Sequence, residues 1–239
     1  MRCRLCGVEG ELRSSHIVPE LAFKPLYDER HGAVEHTISN GKSRIIRKGY
    51  RERLLCGDCE SRVGRFETKF AERWVQQSPL PQPITASEYL IAEIDYREFK
   101  LFHLSVLWRA SVSARSEFRL VNLGPYEAIL RSRLLAEDAG EAEDFAIMAT
   151  ALIDPRTGLL ERAIYIEPER VRRNHGSVYI FTFSGFSWFY FVGSSVPSDL
   201  APGILSTAGS LLVDTKSFFE YKPLVRSFAR LQSARQEGP

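Results

Sequence analysis

The sequence predicts an α+β protein in two parts: a small cysteine-bearing N-terminal module, and a larger C-terminal domain of helices followed by an antiparallel sheet. Three observations predict it. All four cysteines lie in two Cys-x-x-Cys pairs, Cys3/Cys6 and Cys56/Cys59, in the first quarter of the chain. Just after the second pair, Val63, Phe66, Phe70 and Trp74 recur at the three- and four-residue spacing of an amphipathic helix. Beyond Phe145 the texture changes to short β-rich runs divided by turn residues.

The chain has 239 residues, enough for one large domain or two ordinary ones. Hydrophobic content of 44%, charged content of 26% and a net charge of +2 describe a globular protein and point to no partner through total charge. The start Met1-Arg2-Cys3 leaves no room for a secretory signal, so a cytoplasmic, reducing compartment is expected. The apolar stretch from Val178 to Gly193 is shorter than the ~20 residues of a membrane span and is interrupted by Thr, Ser and Gly. It reads as paired strands, and no membrane partner is expected.

The elements follow in order. A cysteine knuckle leads into "LRSSHIVP", an extended segment holding His16 and closed by Pro19, then a basic stretch, "GKSRIIRKGYRERL". The second knuckle opens the helix. "SPLPQPITAS", with three prolines, breaks it and sets the expected division into 1–77 and 86–239. From Ser87 to Val112, the residues Leu90, Ile94, Leu101, Leu104, Trp108 and Val112 outline a helix face, with residues 95–99 a place for interruption. Gly124-Pro125 starts the helix "YEAILRSRLLAE", followed by an acidic solvated loop. A meander of about four strands comes next, and Thr215 to Arg235 reads as a closing helix.

In a reducing compartment, four thiols in two such pairs more often form a tetrahedral zinc site than a disulfide framework. Four sulfurs leave no open coordination position, so Zn2+ on Cys3, Cys6, Cys56 and Cys59 is expected to be structural. His16 is not needed to complete that site. A lone histidine is more often structural than catalytic, and its neighbours decide the matter.

The order Cys-x-x-Cys, Ser-His-Ile-x-Pro, then Leu-Cys-x-x-Cys at the head of a helix resembles the HNH endonuclease family and its ββα-metal, treble-clef core. The resemblance covers about the first seventy residues. It implies a hydrolase that cuts phosphodiester bonds in DNA, with His16 as the general base and a separate Mg2+ or Mn2+ ion at the scissile phosphate. By analogy, such a nuclease would serve a prokaryotic defence or mobile-element system, with the C-terminal domain providing substrate recognition, regulation, homo-oligomerisation or a partner-protein surface.

The chain departs from the family pattern in three places. Ser15 replaces an acid before the base, Arg51 stands where asparagine is common, and Glu60 follows the fourth cysteine in place of histidine or asparagine. Glu60 is then the expected ligand of the catalytic ion, with Glu67 second and Asp28, His31 and His36 as further candidates. Arg51 is expected to approach the scissile phosphate.

Lys42, Arg44, Arg47, Lys48, Arg51 and Arg53 face a single acid, Glu52, in the basic stretch. Phosphate contacts by such residues give affinity without sequence information. The alternative is an exposed hairpin that happens to be basic. At the level of function, the alternative to the nuclease is a catalytically degenerate zinc-stapled module that binds nucleic acid or protein. His103 and Arg109 read as a polar pair in a buried helix, His175 as part of a solvated turn, and "YIFTF" and "WFYF" as sheet core.

Overall fold

The computed structural model describes all residues except 31, 37–42, 77–79, 81–83, 86, 174 and 222–239. The architecture is mixed α+β. Strand β1 (Arg13–His16) pairs antiparallel with β4 (Arg51–Leu55), while β2 (Ala33–His36) and β3 (Ser43–Ile46) pair with each other between them. Helix α1 (Gly57–Trp74) follows β4 directly. Its buried residues are Cys59, Val63, Phe66, Phe70 and Trp74, the stripe that the sequence pattern predicts. Asp58 and Glu60 in its first turn complement the positive end of the helix dipole.

The segment expected as one helix from Ser87 divides. Residues Glu88–Ile91 form strand β5, and α2 (Tyr96–Val112) begins at Asp95, whose carboxylate accepts from the Glu98 N–H at 3.1 Å. This is an N-cap, and it fixes the helix start. Every residue of α2 from Phe99 to Ala110 is buried, including Lys100, His103, Ser105 and Arg109. A helix surrounded on all sides carries no polar face, so its apolar period was faint. Helix α3 (Tyr126–Ala136) starts where Gly124-Pro125 placed it and ends at Glu137 in the left-handed conformation.

Six further strands complete the sheet: β6 (Ile147–Asp154), β7 (Leu159–Leu160), β8 (Ile166–Arg173), β9 (Gly176–Phe183), β10 (Phe186–Val192) and β11 (Leu211–Ser217). The strand order is β5-β11-β6-β10-β9-β8, with β7 on β6. Strands β8, β9 and β10 run as a meander, whereas the expected antiparallel sheet is corrected to a mixed one, because β11 enters between β5 and β6 and runs parallel to β6. Strand β10 turns back at Ser184-Gly185 to lie between β9 and β6, antiparallel to both. The expected closing helix is corrected at its start, since Thr215–Ser217 belong to β11, parallel to β6; its residues 222–235 lie outside the described residues.

Helices α1 and α2 pack together, and one cluster of buried side chains includes Leu5, Ile17 and Phe66 as well as Trp108, Phe183 and Trp188. Trp74 at the end of α1 lies 5.3 Å from Trp188 of β10, centroid to centroid. The aromatic strands expected as sheet core are buried: Tyr179, Phe181, Phe183, Trp188 and Tyr190 are each 1% exposed or less. Among the described residues, no helix is long and apolar enough to cross a membrane.

Candidate metal centre and the histidine strand

The two knuckles meet although fifty residues separate them. In the first, Cys3 N–H donates to Val8 O at 2.9 Å and Gly7 N–H to Cys3 O at 2.9 Å, with Gly7 in the left-handed region at φ 80°. The second knuckle caps α1, with Cys56 as the residue before its first turn. Arg4 N–H donates to Leu54 O at 2.9 Å, which ties the first knuckle to β4. Arg131 of α3 donates to Leu5 O at 2.5 Å and holds the knuckle from the C-terminal side.

The ligand atoms of Cys3, Cys6, Cys56 and Cys59 all lie within 4.8 Å of one another. Tetrahedral zinc with bonds of about 2.3 Å separates its sulfurs by about 3.8 Å, whereas a disulfide needs about 2 Å. Cys6 Sγ and Cys56 Sγ are 3.7 Å apart, and all four cysteines are free thiols. The cluster can hold a metal ion such as zinc. Burial raises the Cys3 thiol, but N–H groups of Cys56, Cys6 and Leu5 outweigh it and bring its pKa down to about 7. Burial pushes the Cys59 thiol up.

Beside this cluster, the register of the β1–β4 pair sorts the predicted site residues. His16 sits opposite Arg51, Ser15 opposite Glu52 and Ser14 opposite Arg53. Side chains alternate along a strand and directly opposed residues share a face. His16, Arg51 and Arg53 therefore occupy one face, and Ser15 and Leu54 the other. Ser15 is fully buried, and its hydroxyl donates to Glu60 Oε2 of α1 at 2.5 Å.

His16 Nε2 lies 3.0 Å from the carbonyl oxygen of Lys48. A carbonyl only accepts, so Nε2 carries the proton, and a neutral ring then has its lone pair at Nδ1. Burial lowers the pKa of His16 from its ordinary value; Arg51 adds to this, while Glu20, Glu67 and the Lys48 carbonyl act the other way. Both effects that lower it favour the neutral ring.

The structure thus brings His16 together with Arg51, and Glu60 together with Ser15. The thickness of one strand separates the two pairs. Glu67 is ion-paired with Arg109, which also donates to the His16 carbonyl, so Glu67 stands on the backbone side of His16 rather than beside Glu60. Of the basic residues, Arg47, Lys48, Arg51 and Arg53 are exposed; Lys42 lies outside the described residues, and Arg44 has a described backbone only, in β3. His31 lies outside the described residues, His36 has a described backbone only, in β2, and Asp28 accepts from the N–H groups of Arg30 and Gly32 at 2.9 and 2.8 Å. His103 and Arg109 do not pair with each other: His103 Nδ1 is 2.8 Å from the Tyr190 hydroxyl inside the aromatic core.

The partners of two residues were not legible in the sequence. Ser15 registered only as a departure, yet its hydroxyl holds Glu60. Arg109, 1% exposed, donates through Nη1 to His16 O at 2.6 Å and to Glu67 Oε1 at 2.7 Å. Its signal was a charged residue inside an apolar helix, since buried charge requires a partner. The chain matches no known family model, no curated protein and no solved structure at a significant level.

Proposed function

We propose that the N-terminal module is a metal-dependent, HNH-like nuclease that hydrolyses phosphodiester bonds in DNA. The observation that carries this reading is the His16 Nε2 to Lys48 O hydrogen bond, which turns a lone pair at Nδ1 toward service as a base. Water gives its proton to Nδ1 as its oxygen attacks phosphorus, the bond from phosphorus to the leaving sugar oxygen breaks, and that oxygen takes a proton from solvent. Glu60, with Ser15 beside it, supplies the hard oxygen ligands that suit Mg2+ or Mn2+. Such an ion would offset charge on the leaving oxygen. Arg51 and Arg53, exposed on the His16 face, hold the backbone phosphates, with Arg47 and Lys48 in the link between β3 and β4. Because His16 and the Glu60 carboxylate lie on opposite faces of β1, the scissile phosphate is proposed to lie across the C-terminal end of that strand, between the two. Zinc on the four cysteines staples the module and stays out of the chemistry.

A second reading rests on one observation, the Ser15 to Glu60 hydrogen bond. It satisfies the carboxylate within the protein, as expected of a zinc-stapled module that binds nucleic acid without cutting it. One experiment separates the two. Zinc-loaded protein is incubated with supercoiled plasmid and Mg2+ or Mn2+, beside His16→Ala, with DNA binding measured in parallel. The nuclease reading expects wild type to nick and the variant to bind equally while losing at least a hundredfold in rate, the scale of a lost general base. Binding by both proteins with cutting by neither establishes the second reading.

A further inference from the structure

A second cluster of cations lies on the far edge of the sheet, in a concavity of about 480 Å3. Its described lining is Arg172, Arg173, His175, Ser194, Ser195 and Pro197, with no acid among them. Strand β8 is the edge strand, and its residues from Arg170 to Arg173 are exposed. Arg170 is engaged, donating to Ser177 Oγ at 2.9 Å and lying over the Tyr179 ring. The guanidiniums of Arg172 and Arg173 have no hydrogen bond or ion pair among the described residues.

Two further features show that this is a built site. Ser194 Oγ, in the wall, is buried and has no hydrogen-bond partner among the described residues. An orphaned hydroxyl costs free energy that a ligand oxygen would recover. The turn before β9 is also pressed against the segment after β10: a Cβ on Gly176 would meet Val192 O at 2.3 Å and Ser194 N at 2.6 Å. Only glycine permits that approach, so the arginine turn and the serine turn are held as opposite walls.

Strand β8, whose last residues line the concavity, also touches an element that reaches the first site. The turn Ser116–Phe118 packs on β8, and Arg115 just before it reaches the Arg51 carbonyl at 3.4 Å. Exposed arginines of β4 and β8 thus sit on elements joined by one short turn. We propose that the Arg172/Arg173 pocket binds a backbone phosphate of the same nucleic acid that the β1–β4 face engages, lengthening the footprint across the C-terminal sheet. Two guanidiniums, an imidazole and two hydroxyls without an acid suit a phosphodiester, which carries charge and acceptors and donates nothing. This rests on the nucleic-acid part of the reading above, and not on cleavage.

The test is binding of a fluorescent DNA duplex, without added Mg2+ or Mn2+, to zinc-loaded full-length wild type, R172A/R173A and R172K/R173K, over a range of salt concentrations. Both arginines are exposed and their side chains are unpaired among the described residues, so thermal melting should match wild type. Losing one phosphate contact should flatten the plot of log K against log salt by about 0.9 and weaken binding by about tenfold at ~0.1 M salt. The lysine pair should restore most of the loss. Wild-type binding that is unchanged in R172A/R173A overturns the pocket and leaves the β1–β4 reading standing. A wild type that binds no nucleic acid overturns both.

Discussion

The guanidinium of Arg109, carried by a helix buried on every side, lies 2.7 Å from the carboxylate of Glu67 and also donates to the backbone carbonyl of His16. One side chain from α2 therefore holds both α1 and the strand that presents His16. The side chains are 1% and 24% exposed, so the pair is removed from water on the arginine side.

Breaking this pair from one end should be costly. Arg109→Ala leaves Glu67 and the His16 carbonyl without their donor and should lower stability by about 3 kcal/mol or more, read from urea unfolding of zinc-loaded protein. Replacing both charges, as Arg109→Met with Glu67→Leu, should recover most of that loss, because apolar groups of similar size substitute well for buried ions. The double variant still lacks the donor to His16 O. If Arg109 is a positioning residue, this variant melts near wild type yet nicks plasmid at least tenfold more slowly. Full activity in the double variant would reduce Arg109 to a packing role.

How far the sequence revealed this arrangement depended on whether the relevant contact was local. Cys56, Cys59 and the Val63 to Trp74 stripe sit on one helix and were readable because spacing alone defines them. Leu90 and Ile94 fitted a helix just as well, but β5 exists because Leu211 to Asp214 pair with it from more than a hundred residues away. No local pattern contains that partner. The central place of β10 had a usable signal: Phe186 to Val192 is apolar on both faces, as a central strand requires, whereas β8, with "ERVRR", reads as an edge. The Ser15 hydroxyl carried no sequence signal, since what it does depends on where α1 docks.

Lys100 gives a prediction in pH. Its ammonium is 1% exposed and donates to the Tyr96 hydroxyl at 2.9 Å and to the Glu141 carbonyl. Burial lowers its pKa to about 8; Asp144, Glu143 and Glu141 pull it up and Arg133 down. The unfolded chain keeps this proton to about pH 10.4, so between pH 8 and 10.4 it binds more protons than the folded protein. The lysine's contribution to stability should therefore rise across that window, by up to about 3 kcal/mol, and stay level below pH 8, where both states keep the proton. Lys100→Met removes the effect. The difference in unfolding free energy, Lys100→Met minus wild type, should shrink steadily from pH 8 to 10; a constant difference would show that Lys100 titrates normally.

Ser15 is where the two functional readings diverge most sharply, and a substitution there probes the proposed ion directly. It is fully buried with its oxygen 2.5 Å from Glu60, at the position where the HNH resemblance implies an acid. Ser15→Asp would set two carboxylates against each other out of water, which forces one to take up a proton or the site to open. Without divalent ion, the variant should be destabilised by a few kcal/mol. A Mg2+ or Mn2+ ion between the carboxylates would relieve the repulsion. Millimolar Mg2+ should then raise the melting temperature of Ser15→Asp by several degrees and leave wild type nearly unmoved, since a ligand stabilises only the state that binds it. If the β1 end is a phosphodiesterase centre short of one ligand, plasmid nicking should rise at least tenfold with the same substitution. Destabilisation that Mg2+ and Mn2+ do not reverse would mean that Ser15 and Glu60 form a closed hydrogen bond, and that the strand of His16 serves to hold nucleic acid.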